Sequence, residues 1–144
     1  MRKILLFLLL ISNLGFSNSS KAEWTFLSED AVNGNKFYIR SDSIKKDDSF
    51  VYAWIMSSFI KPNEFGNLST KSYNQMSCET PIKSKMLSLR FFKGPMGEGE
   101  SELMRTKLLE EKGWQYVEQG TVLAYTVNMA CAVAYKDPSR LGIK

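Results

Sequence analysis

The sequence predicts a β-rich α+β fold: one small domain of strands, with a helix near its C-terminal end. Three observations carry that reading. After residue 22 the apolar residues recur mostly at every second position, the period of a strand. In the segment 121–135, Ala124, Val127, Cys131 and Ala134 instead form one stripe at helical spacing. The chain has two cysteines, Cys78 and Cys131, an even pair that reads as a disulfide in an oxidising compartment. A length of 144 residues suits one domain.

The N-terminus has the three parts of a secretory signal. Arg2 and Lys3 are positive, Ile4 to Ile11 is an unbroken apolar run, and Ser20 and Ala22 are small residues at −3 and −1 of a cut after Ala22. An apolar run of that length reaches only about 12 Å as a helix, against roughly 30 Å of hydrocarbon. The expected organisation is therefore a signal peptide over residues 1–22 and a single domain over residues 23–144. Cleavage removes Arg2, Lys3 and Lys21, so the net charge of +4 falls to +1. So small an excess gives no reason to expect nucleic acid as a partner. No cysteine lies near the cut, so N-terminal lipidation has no thiol to use. Neither a lipid anchor nor a membrane span is expected, and the mature protein should be periplasmic, secreted or at the cell surface.

The elements follow in order. Trp24 to Leu27 reads as a first strand and Phe37 to Arg40 as its return, with Asn33-Gly34 signalling a tight hairpin turn between them. Ser41 to Asp48 is polar and reads as a turn or a single helical turn. Ser49 to Ile60 is the strongest strand. Phe50, Tyr52, Trp54 and Met56 share one face, while Val51, Ala53, Ile55 and Phe59 share the other. Both faces are apolar, so this strand is expected at the centre of the sheet, covered on both sides for much of its length. Pro62 ends it, because proline cannot donate to a ladder. A turn through Gly66 leads to a more polar strand, Ser69 to Cys78. Pro81 marks the next break, and Lys85 to Lys93 is again extended. Gly94 to Gly99 reads as a loop. Glu100 to Lys112 suits a helix through Leu103, Met104, Leu108 and Leu109, or a strand through Leu103–Thr106. Trp114 to Val117 looks extended, and Thr121 is placed to cap the last helix.

Several short motifs stand in a telling order: Trp24, Phe37-Tyr38-Ile39, Asp42-Ser43-Ile44, Val51-x-x-Trp54, Lys61-Pro62, Ser69-Thr70-Lys71 and Cys78. Leu87-Ser88-Leu89, Phe92-Lys-Gly-Pro-Met-Gly-Glu-Gly99, Trp114-x-x-Val117-x-x-Gly120-Thr121 and Cys131 follow. This ordered set resembles the surface-adhesin protein E family of Gram-negative bacteria, over nearly all of residues 23–131. The resemblance implies an antiparallel sheet of about six strands and a C-terminal helix packed on one face, tied to the sheet by a Cys78–Cys131 disulfide. It also implies adhesion to host matrix or plasma proteins, and a homodimer. The chain departs from the family in lacking the lipid-attachment cysteine of a surface-anchored member, and in carrying Arg40 where an acidic residue is common.

The chain contains no histidine, which removes Ser-His-Asp and Cys-His catalysis and the commonest metal ligand. With both cysteines paired, no thiolate nucleophile remains. Glu98, Glu100 and Glu102 would share a face if extended, as a carboxylate pair for glycoside chemistry or a Ca²⁺ site requires. A solvated loop edge is the plainer account. Gly94, Gly97 and Gly99 lack the helix start and Lys-Ser/Thr of a phosphate loop, so they are expected to supply positive φ. Lys45-Lys46-Asp47-Asp48 reads as a solvated turn. The aromatic residues Trp24, Trp54, Trp114, Tyr38, Tyr52, Phe50 and Phe59 remain, to fill a core or dress a binding face. The expected function is non-catalytic binding to a host-matrix, envelope or other extracellular protein, with no cofactor. The alternative is a soluble periplasmic accessory or inhibitor protein with no part in adhesion.

Overall fold

The computed structural model describes residues 23–141. Eight strands form one antiparallel sheet: β1 (Trp24–Glu29), β2 (Lys36–Arg40), β3 (Lys45–Asp47), β4 (Phe50–Ser58), β5 (Ser69–Ser77), β6 (Lys83–Phe92), β7 (Ser101–Leu103) and β8 (Trp114–Tyr116). Two α-helices lie among the described residues, α1 (Thr106–Lys112) and α2 (Val122–Tyr135). The central strands β4, β5 and β6 are long and paired along most of their length. Short strands share their flanks. β2 pairs the second half of β4 and β3 its first half, with a 3-10 turn at Ser41–Ser43 between them. β7 pairs the end of β6 and β8 its start, while β1 pairs β2 at the opposite edge. The path β1–β2–β4–β5–β6–β7 has the expected six strands; β3 and β8 are added to it.

Three local expectations are refined. Ser41–Ser43 is the single helical turn, but Lys45–Asp47 continues into the sheet, because β4 offers it an unpaired edge. Residues 100–112 hold a strand and then a helix, but the strand β7 ends at Leu103 instead of running through Leu103–Thr106, and Thr106 already begins α1. The Asn33-Gly34 hairpin is present, but its loop is longer than two residues. Asp30 Oδ1 accepts from Val32 N at 2.8 Å and Asn33 N at 3.2 Å, and Gly34 adopts φ 72° to close the loop.

Side chains alternate between the two faces of a strand, and here the faces differ. On one, Ile39, Val51, Ala53 and Met76 pack against Ala124, Val127, Ala130 and Cys131 of α2, all of them buried. Alanines at the contact let the helix lie close to the sheet. Cys78, just past β5, is bonded to Cys131 in α2, with Cα atoms 5.9 Å apart. Thr121 caps the helix, its Oγ1 accepting from Ala124 N at 3.1 Å. The other face of β4 corrects the expectation of cover on both sides. Phe50, Tyr52 and Trp54 are only half-buried there, and no helix of the described residues lies over them. Among the described residues there is one long helix, and it is used on the opposite face. Only the far end of this face is roofed, by the loop Gly94–Gly99 folding back onto β4 and β5.

Candidate binding face

The strand register maps the open face line by line. One line crosses it as Lys45, Tyr52, Gln75, Lys85 and Trp114. The next runs Asp47, Phe50, Ser77, Lys83 and Tyr116. On the other side of the first line, Trp54 lies opposite Tyr73 and Tyr73 opposite Ser88. Beyond them Phe26, Tyr38, Met56, Lys71 and Arg90 are in register.

The rings pack on one another. Tyr73 sits between two neighbours, with its centroid 5.2 Å from Trp54 and 6.1 Å from Tyr52. Trp114 stacks on Phe50 at 5.4 Å. Their strands are three inter-strand steps apart, about 14 Å in a flat sheet. The sheet therefore curls, and the face is concave between β4 and β8. Phe26 meets Tyr38 edge-on at 5.7 Å. Ammonium groups lie among the rings: Lys45 Nζ is 5.7 Å from the Tyr52 centroid, and Lys83 Nζ is 5.7 Å from that of Trp114. Lys71 Nζ reaches Trp24 and Phe92, at 5.6 and 5.0 Å. Arg40 is satisfied locally, donating from Nε to Asp42 Oδ1 at 2.8 Å. That hydrogen bond holds the Asp42 carboxyl below its ordinary range and raises the Arg40 guanidinium above its own.

Of the aromatic residues singled out in the sequence, Trp54, Trp114, Tyr38, Tyr52 and Phe50 fall on this face, and Trp24 borders it through Lys71. Phe59 lies past the end of β4. Tyr73, at the centre of the cluster, is not among them. Its signal is the alternation of Lys71, Tyr73 and Gln75 with the smaller Ser72 and Asn74, which the polar character of β5 conceals. The three glutamates do not gather into a site. Glu98 and Glu100 lie in the loop and Glu102 in β7, all exposed. Among the described residues no cluster of three or more metal-ligating side chains occurs. The glycine loop uses its own polar groups: Ser69 Oγ donates to the Gly94 carbonyl at 2.7 Å and accepts from Gly97 N at 2.8 Å. Gly97 and Gly99 have positive φ and Gly94 does not; a Cβ on Gly94 would stand 2.8 Å from the Glu98 carbonyl. Lys45 and Lys46, read as part of a turn, stand on β3 over Tyr52 and Tyr135. No helix among the described residues is long and apolar enough to cross a membrane.

No curated protein matches the chain. Solved structures of Haemophilus influenzae protein E share its fold. Crystal form II is 18% identical with a TM-score of 0.55, over 78% of this chain and 89% of that one. A second structure of the same protein is 17% identical with a TM-score of 0.53, over 81% and 89%. At the level of sequence, the description of surface-adhesin protein E matches residues 24–132, from the first strand into the last helix, and the chain belongs to that family.

Proposed function

We propose that this is an exported, non-catalytic binding module that takes a protein partner on the open sheet face around Trp54 and Tyr73. The carrying observation is that half-exposed aromatic side chains cluster on a face without a covering helix. Tyrosine and tryptophan dominate the energetics of protein interfaces, where large rings bury much area at little entropic cost. The non-catalytic reading is supported by the lack of histidine, the pairing of both cysteines and the dispersal of Glu98, Glu100 and Glu102. Family membership supports an adhesin-like role, and the partner class proposed is a host-matrix or plasma protein. The signal peptide lies outside the described residues, and export with cleavage after Ala22 is part of the proposal. A homodimer, through a sheet edge or through this aromatic face, is also part of the proposal.

The test is binding of the envelope-purified protein to a panel of purified matrix, plasma and envelope proteins, with intact mass measured on the same sample. We expect a mass beginning at Glu23 and a partner whose affinity falls at least about tenfold in a Trp54→Ala/Tyr73→Ala variant, the loss typical of interface hot spots. The variant's melting curve checks its fold. A partner bound equally by a folded variant would place the site elsewhere. Antibody access on intact cells separates surface adhesion from a periplasmic accessory role. Light scattering of the double variant and the native protein tests whether self-association uses this face.

A further inference from the structure

We infer that the partner recognised at this face is an acidic protein segment, with apolar side chains seated on the aromatic strip and carboxylates meeting Lys45, Lys83 and Lys85. The inference rests on the face being a protein-binding surface and adds the chemistry of what binds.

The charges come first. Among the described residues the ion pairs within 4.0 Å are Arg40–Asp42 and Arg140–Asp137. Lys45, Lys83 and Lys85 therefore have no carboxylate partner, although they stand on two adjacent lines of the face. The acid on those lines is Asp47, beside Phe50. The chain beyond residue 22 carries a net charge of only +1, so the cations on this face are balanced elsewhere. Glu98, Glu100 and Glu102, in the loop and strand that follow β6, are part of that balance. Unpaired cations beside an aromatic strip complement a partner with an apolar centre and an acidic rim, and like charge there would be repelled.

The rings decide between classes of anion. A single-stranded nucleic acid needs open ring faces on which its bases can stack, and a sugar ring needs the same flat surface. Here the rings at the centre of the strip have neighbours within the protein. Tyr52 has Tyr73 and the Lys45 ammonium beside it, Tyr73 has Tyr52 and Trp54, and Trp114 has Phe50 and the Lys83 ammonium. These central rings are half-buried, and the exposed Tyr116 stands beside them. Aliphatic and aromatic side chains fill such a surface, whereas a sulfated glycan has no comparable apolar group to bury there.

The experiment uses the envelope-purified protein on an array of short synthetic peptides. The peptides are matched in leucine and phenylalanine content and divided into acidic, neutral and basic sets. Heparin and an oligo-dT strand serve as competitors. We expect binding concentrated in the acidic set and weakened by added salt. We also expect it to be about tenfold weaker in a Lys83→Gln/Lys85→Gln variant, the scale of a lost charge contact, and in a separate Lys45→Gln variant. The lysines stand on a solvated face, so melting curves should be unchanged. Trp54→Ala/Tyr73→Ala should weaken peptides of every set. Equal binding of all three sets, or acidic binding indifferent to the lysines, would overturn the acidic partner and leave the protein-binding reading standing. Displacement of the acidic peptides by heparin or oligo-dT at lower concentration than by free acidic peptide would overturn it in favour of another polyanion. Binding of no peptide would overturn the acidic segment, and the panel of whole proteins decides the protein-binding reading separately.

Discussion

Asp137 stands just past Lys136, the residue that caps the end of α2, and its carboxylate is engaged there. Ser139 donates to Oδ1 from its hydroxyl at 2.6 Å and from its backbone N–H at 3.1 Å, and Arg140 lies on the other carboxylate oxygen at 3.6 Å. The hydroxyl bond first, then the backbone bond, holds the Asp137 carboxyl below its ordinary value against a small desolvation cost. A folded-state value below the unfolded one contributes stability that is present above the unfolded value and lost as pH falls through the folded one. The turn Asp137–Arg140 should therefore loosen only in acid below the usual aspartate range, near pH 3.9. An NMR titration should place the Asp137 midpoint below that range, and Asp137→Asn should abolish the acid-dependent change at Ser139. A midpoint at or above the ordinary value would contradict this. At this scale the sequence was readable for backbone and less so for side chains. The positive φ of Gly97 and Gly99 follows from glycine in a polar loop. That Ser69 Oγ would bridge Gly94 and Gly97 depends on a strand returning beneath the loop, which no local pattern records.

Among the elements, α2 depends most visibly on its start. Thr121 Oγ1 accepts from Ala124 N at 3.1 Å and donates to the Glu118 carbonyl at 2.7 Å, so one hydroxyl fixes both the first turn and the approach to it. Helix α2 has 14 residues, a length that is marginal in isolation. Thr121→Ala should lower stability by about 1 kcal/mol, and Thr121→Ser should recover most of it, because serine presents the same acceptor. Denaturant unfolding measures both; equal loss in the two variants would show that the methyl group matters and the cap does not. The same helix shows what a period can reveal. Ala124, Val127 and Cys131 were legible as its buried stripe because fourteen residues repeat the spacing several times. β3 and β7 have three residues each, too few to show alternation, and all six are exposed. They are strands because β4 and β6 present free edges, a tertiary cause. α1 and β7 were indistinct for a related reason: only Met104 and Arg105, the latter in extended backbone, separate them.

For the whole molecule, the alternation in β4 told which side chains share a face, but not that the chain would place its long helix on one side and leave the other open. Two apolar faces suggest two covering layers, yet aromatic rings with lysines among them can half-bury one another without a second layer. The layer that does form is held by the Cys78–Cys131 bond, which spans a separation of 53 residues. Between its ends lie β6, β7, α1, β8 and most of α2, so the bond links the end of β5 to the last helix across nearly half the described fold. A closed loop of this size restricts the unfolded chain by about 4 kcal/mol in the entropy treatment. A domain of this size has a total stability of only about 5–15 kcal/mol, so that is a large share. The loss should not be uniform. The sheet keeps its ladders and much of its own side-chain packing without the bond, whereas α2 keeps only one apolar stripe and its cap. In a Cys131→Ser variant, hydrogen-exchange protection should therefore fall first over residues 122–135 and persist in β4, β5 and β6. The midpoint of thermal unfolding should drop by well over 10 °C, at a few degrees for each kcal/mol lost. A serine hydroxyl at a position 3% exposed adds a polar burial cost of its own. Cys78→Ser at the half-buried end of the bond serves as the control, because it removes the same link with less of that cost. Parallel loss in the two variants, centred on α2, is the expected result. An unchanged melting temperature in Cys78→Ser, or protection lost evenly across the sheet, would mean that the helix is held by packing alone.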